Sequence, residues 1–186
     1  MEAWVVRLPS QPRPRVAIKP AGQPHAAPRL LDLAELRELW DHLVATPLLE
    51  AEEAFDTLYA AGAFDALDQM AAWSVATDPE GAPVATCAGE PAAVTVAITI
   101  PAKAVGAAGE WVAGWAAVLR GRLWLLWQDE GGALHPLDPD QAAAVWRALA
   151  DLAQTLSPNL RPARQKANQS LERLHRLGFP PPPASA

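Results

Sequence analysis

Cysteine occurs once in this chain of 186 residues, at Cys87, so no internal disulfide can staple the fold. A lone cysteine in a Gly/Pro/Ala stretch fits a reducing compartment, and a cytoplasmic location is expected. Long apolar runs are also lacking. The most apolar region, Ala92 to Trp127, is interrupted by Lys103, Glu110, Arg120 and Arg122, so no span of about 20 apolar residues forms and an integral membrane segment is not expected. The first residues lack the basic-then-apolar pattern of a secretion signal. Histidine is sparse and dispersed, at His25, His42, His135 and His175. No pair has ligand spacing and Cys87 has no partner in a metal pattern, so no metal site is expected. Gly106 and Gly109, preceded by Lys103, lack the spacing of a phosphate loop. The few serines occupy no nucleophile elbow. The sequence therefore points to no cofactor and leans away from an enzyme, with catalysis by scattered residues as the third reading.

What the chain does have is charge sorted by position. Residues 1 to 30 carry Arg7, Arg13, Arg15, Lys19 and Arg29 against Glu2, a net of +4. Residues 157 to 186 carry Arg161, Arg164, Lys166, Arg173 and Arg176 against Glu172, again +4, while the 126 residues between them have a net of −14. Basic ends on an acidic body suit docking onto an anionic partner. The 19 prolines crowd the same two ends, with six between Pro9 and Pro28 and four at Pro180 to Pro183.

Apolar content of 51% is enough for one good core or two small ones. Four segments follow: a basic, Pro-rich arm over 1–30 with short edge strands at Ala3 to Leu8 and Arg15 to Ile18; a helical unit over 31–76; a sheet followed by a C-terminal helix pair over 92–177; and a Pro-rich tail over 178–186. In the helical unit Asp32 and Glu35 form a capping box, with Leu33, Leu36, Trp40, Leu43 and Val44 on one face. A second helix carries Leu48, Ala51, Phe55, Leu58 and Tyr59 and stops at Gly62. A third is expected from Phe64 to about Val75. Thr77 to Pro91 reads as a loop or linker. Val94, Val96, Ile98 and Ile100 alternate with small residues as a central, buried strand. Trp111 to Leu119 fits either a helix or a strand paired with Leu123 to Trp127, and the strand is preferred. A hairpin loop at Asp129 to Gly132 leads to a strand at Leu134 to Leu137. Asp138, Pro139 and Gln141 then open a helix with Ala142, Val145, Leu149, Leu152 and Leu156 buried. The last helix, Pro162 to Leu177, has a thin seam of Ala163, Ala167, Leu171 and Leu174. These elements predict an α+β fold in which helices pack on a small, mainly antiparallel sheet.

The candidate partner-binding residues are Arg164, Lys166, Arg173 and Arg176 on the last helix, helped by Arg13, Arg15 and Lys19 from the arm. The competing account of the helix is that its terminal cations complement the helix dipole. Trp111, Trp115, Trp124 and Trp127 near Arg120 and Arg122 can stack single-stranded bases or simply fill the core. Glu35, Glu38, Asp41, Glu50, Glu52, Glu53 and Asp56 make either an acidic docking face or a solvated one. The leading functional expectation is a non-enzymatic binding or adaptor module acting on another protein or on a second copy of itself. The alternative is a nucleic-acid-binding accessory protein using its basic ends.

Overall fold

The computed structural model describes residues 1–11, 13–179 and 181. The chain forms two compact units, Met1–Ala71 and Ala72–Ala186. Among the described residues there are five α-helices and three small antiparallel sheets, an α+β fold.

In the first unit, β1 (Glu2–Val6), β2 (Arg15–Lys19) and β3 (Arg29–Leu30) form one sheet with β2 in the middle. The expected edge strand at Arg15 to Ile18 is thus the central one. Pro14 and Pro20 flank it, outside the ladder where their missing N–H groups cost nothing. Val16, Ala17 and Ile18 are buried, so the segment read as an arm supplies part of the core. α1 (Leu33–Ala45) starts at the expected box: Glu35 N donates to Asp32 Oδ1 at 2.9 Å and Asp32 N to Glu35 Oε2 at 3.0 Å. α2 (Leu49–Ala60) ends at Gly62, whose φ of +85° glycine adopts without strain. Trp40, Phe55 and Phe64 meet with ring centroids 4.9 to 5.3 Å apart, forming the centre of the unit's core. Leu33, Val44 and Leu48, expected on the apolar stripes, are exposed instead because all three stand at helix ends. α3 (Asp65–Met70) is shorter than the helix expected to reach Val75. Its buried Asp68 accepts a 2.5 Å hydrogen bond from Tyr59 Oη.

In the second unit, β4 (Trp73–Thr77), β5 (Pro83–Cys87) and β6 (Glu90–Pro91) form a meander where the sequence suggested the end of a helix and then a loop. Asp-Pro-Glu-Gly is the turn of its first hairpin. Asp78 Oδ1 accepts from Glu80 N and Ala82 N at 2.9 and 2.8 Å, the local side-chain bonding that makes aspartate a turn residue. The larger sheet contains β7 (Val94–Pro101), β8 (Trp111–Leu119), β9 (Arg122–Gln128) and β10 (Leu134–Pro136) in the order β10-β9-β8-β7. The strand at 111–119 is confirmed, and Gly114 sits where any Cβ would lie 2.4 Å from Ile100 Cδ1.

α4 (Pro139–Gln154) and α5 (Arg161–Arg176) cover one face of this sheet, packing Val145, Leu149, Ala167 and Leu174 against Ile98, Ile100, Ala116 and Leu125. Trp146 is buried there as well, whereas Leu156 lies beyond the helix end at Thr155 and is 86% exposed. The meander meets the other face: Trp73 lies 5.7 Å from Trp124 between ring centroids, and Ala85 N donates to Thr95 Oγ1. The alternation of a strand sends Trp124 and Trp127 to opposite faces.

β7 is an edge strand, not the central one, and Val94 at its start is 44% exposed. Its unpaired edge is closed by α5. Ser170 Oγ accepts from Thr99 N at 3.0 Å and donates to Thr99 O at 3.1 Å, and Arg173 Nη1 donates to Ala97 O at 2.7 Å. A covered edge cannot recruit a foreign strand. Ser170→Ala should cost about 1–3 kcal/mol, because two backbone groups of Thr99 lose their partner. Thermal melting checks this, and an unchanged midpoint would contradict it.

Candidate anion-binding cleft

The seven basic residues singled out by the sequence fall into two groups. On α5, Arg173 is bound to the edge of β7, and Arg164 Nη1 donates to Thr155 O at 3.2 Å, satisfying a carbonyl just beyond α4. Arg176 pairs with Glu172 at 2.6 Å one turn back, and Lys166 Nζ lies 5.7 Å from the ring centroid of Trp111. Each of these four cations therefore has a contact within its own unit. Three of the four tryptophans have ring contacts, while Trp115 Nε1 and Trp124 Nε1 are buried without a hydrogen-bond partner among the described residues. Trp124 packs on Trp73, Trp127 lies 4.8 Å from the His135 ring, and Arg120 grips Glu90 with Nε and Nη2, the shortest contact being 2.6 Å.

In the first unit the pattern differs. Lys19 pairs with Glu2 at 3.0 Å and lies over Trp4. Arg13 and Arg15 instead line an open cleft of about 430 Å³. β2 places Arg15, the Pro14 turn before it places Arg13, and the chain entering α1 supplies Leu31, Asp32, Leu33 and Leu36. Ala63, just before α3, and Ala66, within it, complete the lining. Apart from the two arginines, Gln11 and Asp32, the lining is apolar.

The two guanidinium groups are not equivalent. Arg15 Nη2 donates to Leu31 O at 2.8 Å and Nη1 reaches Gln11 Oε1 at 3.5 Å, so Arg15 is fastened across the cleft. Arg13 Nε is buried and has no hydrogen-bond partner among the described residues. A charged donor withdrawn from water without an acceptor is costly. The one acid lining the cleft is already engaged: Asp32 Oδ1 caps α1, while Glu35, outside the lining, completes the box and pairs with Arg29 at 2.6 Å. The cleft is thus equipped to accept a carboxylate or another anionic oxygen, with apolar surface for whatever carries it.

Sequence reasoning named Arg13 and Arg15 but not the apolar walls around them. Their spacing of two was a usable signal, since alternate residues in extended chain share a face. Arg37, which lines a neighbouring hollow, was overlooked because a single cation on an amphipathic helix has no distinguishing pattern.

One further ionisable pair stands apart from the cleft. Asp129 Oδ2 lies 2.8 Å from His135 Nε2 at the hairpin between β9 and β10, and Asp129 Oδ1 accepts from Ala133 N at 2.9 Å. The His135 contact foremost, and then the Ala133 amide, hold the Asp129 carboxyl below its ordinary value of 3.8. A depressed carboxyl stabilises the fold above that ordinary value, and the contribution disappears as pH falls through the lower folded one. An NMR titration should place the Asp129 midpoint below 3.8; a midpoint at or above that value would contradict the assignment.

Comparison with models of known protein families, with curated proteins and with solved structures found no match. No helix among the described residues is long and apolar enough to cross a membrane.

Proposed function

We propose that this protein is a non-enzymatic binding module that acts in the cytoplasm through protein–protein contacts, receiving its partner at the Arg13 cleft. The observation that supports this reading is the buried Arg13 Nε, without an acceptor among the described residues, set in a mostly apolar hollow. Trp115 Nε1 and Trp124 Nε1 are buried donors of the same kind, but Arg13 is the one that lines an open cleft, where an incoming anionic oxygen would offset the cost of its desolvation. Charge-assisted bonds from a guanidinium are strong and geometrically selective. The contacts of Arg164, Lys166, Arg173 and Arg176 within their own unit favour the cleft over the last helix as the docking surface.

The alternative is a nucleic-acid-binding accessory protein, and salt dependence separates the two. Anisotropy titrations with single- and double-stranded DNA and RNA at several salt concentrations are expected to show no saturable binding at physiological salt. In parallel, proteins retained from a cell extract by the full chain should be lost on Arg13→Gln. Tight oligonucleotide binding that weakens steeply with salt, together with protein retention that ignores Arg13, would replace this reading with the nucleic-acid one.

A further inference from the structure

We propose that the Arg13 cleft is one half of a longer groove that takes an extended peptide segment in which carboxylates alternate with apolar side chains. This rests on the binding-module reading and specifies the chemistry of the partner. The juxtaposition behind it is at Leu33. This residue opens α1, is 40% exposed, and lines two hollows at once. On one side is the cleft with Arg13 and Arg15. On the other is a second hollow of about 480 Å³ between the start of α1 and the end of α3, lined by Leu67, Met70 and Arg37.

The order along this surface is cation, apolar, cation. Leu33 and Arg37 are four residues apart and share one helical face. Arg37 is held with its guanidinium carbon 5.7 Å from the Trp40 ring centroid, so it projects from a defined base. Met70 is 69% exposed although it is large and apolar. No acidic residue lines the second hollow, and the one acid in the first, Asp32, is bonded to its own helix.

Those features select among anionic partners. A phosphate backbone would satisfy the arginines but leave Leu33 and Met70 in water. A peptide with carboxylates next to leucine-like side chains answers both. One helical turn from Leu33 to Arg37 rises about 6 Å, which extended chain covers in about two residues. Acidic and apolar side chains at neighbouring or alternate positions therefore match the groove.

The test is an anisotropy titration of the full chain at physiological salt with a fluorescein-labelled decapeptide carrying Glu-Leu-Glu-Leu-Glu between Gly/Ser flanks. Two control peptides replace every Glu by Gln or every Leu by Ser, and a ten-nucleotide single-stranded RNA serves as competitor. The acidic-apolar peptide should bind at least tenfold more tightly than either control, the step that one charge-assisted bond or one buried leucine supplies. Arg13→Gln and Leu33→Glu should each weaken it about tenfold or more, and Arg13→Lys should fall between Arg13→Gln and the parent, keeping charge but losing the fork. Leu33 is at the rim, so Leu33→Glu should melt like the parent and report binding alone.

Equal binding of all three peptides, no binding of any, parent-like affinity in Leu33→Glu, or displacement of the peptide by the RNA would each overturn the groove. If the groove fails while extract proteins are still lost on Arg13→Gln, the binding-module reading survives with a different ligand chemistry. If both fail, so does that reading.

Discussion

Replacing Leu149 by alanine is expected to destabilise the second unit by about 2–5 kcal/mol, a loss comparable with the total stability of a marginal domain. Leu149 is fully buried, with Val145 one turn before it and Trp146 beside it, in the core where α4 meets β7 to β9. Removing its branched end takes away the transfer energy of three carbons and leaves a cavity. The surroundings close such a space only in part, because close-packed cores relax incompletely, and Ile100 of the same core is already packed over Gly114. Urea denaturation followed by tryptophan fluorescence reads this unit well, since Trp73, Trp111, Trp115, Trp124, Trp127 and Trp146 all belong to it. A midpoint unchanged from the parent would mean that the α4 stripe is not core.

Short-range signals in the sequence were legible and long-range ones were not. Asp32 with Glu35, and Asp138 with Gln141, are pairs three residues apart, and both form complete capping boxes. Chemistry that closes within one turn is written locally. The strand at Val94 and the hairpin loop at Asp129 to Gly132 are visible for the same reason, through alternation and turn residues. Trp73 to Val75 reads as the end of a helix because Val75 continues the apolar spacing of Phe64, Leu67 and Ala71. Only pairing with Pro83–Cys87 makes it a strand. Its partner was hidden in turn by the Pro and Gly that form the hairpin. Likewise β7 was read as central because its large face is apolar, while its place at the edge is decided by Ser170 and Arg173, more than 70 residues away. No periodicity records such a contact.

The same division explains the candidate site. Positive charge at both ends is a count, and counts survive without a structure. What each cation does depends on which acceptors the fold brings near. At the C-terminal end α5 brings carbonyls, a carboxylate and an aromatic ring, so Arg164, Arg173, Arg176 and Lys166 acquire contacts. At the N-terminal end β2 and α1 bring mostly apolar walls, so Arg15 finds a backbone carbonyl and Arg13 Nε finds no acceptor among the described residues. Two ends with the same net charge thus differ in what they offer a partner. Of the Pro-rich tail expected over 178–186, residues 180 and 182–186 lie outside the described residues.

Phe64→Ala should have the corresponding effect in the first unit, at about 3–5 kcal/mol. Phe64 is fully buried between the end of α2 and the start of α3, with its ring edge-on to Trp40 at 4.9 Å and stacked on Phe55 at 5.3 Å. Aromatic pairs of these geometries add to the value of the buried area. The loss therefore exceeds that of an aliphatic residue at the same site. Ala63 and Ala66, on either side of Phe64 in sequence, line the Arg13 cleft, so loosening this ring also loosens the cleft. Near-ultraviolet circular dichroism should lose part of the band from the Trp40 cluster, the denaturation midpoint should fall, and the affinity for the acidic-apolar peptide should drop with it. Phe64→Leu, which refills much of the volume, should recover most of the stability. A Phe64→Ala protein with the parent's midpoint and dichroism would show that the aromatic cluster is not what holds α2 and α3 together.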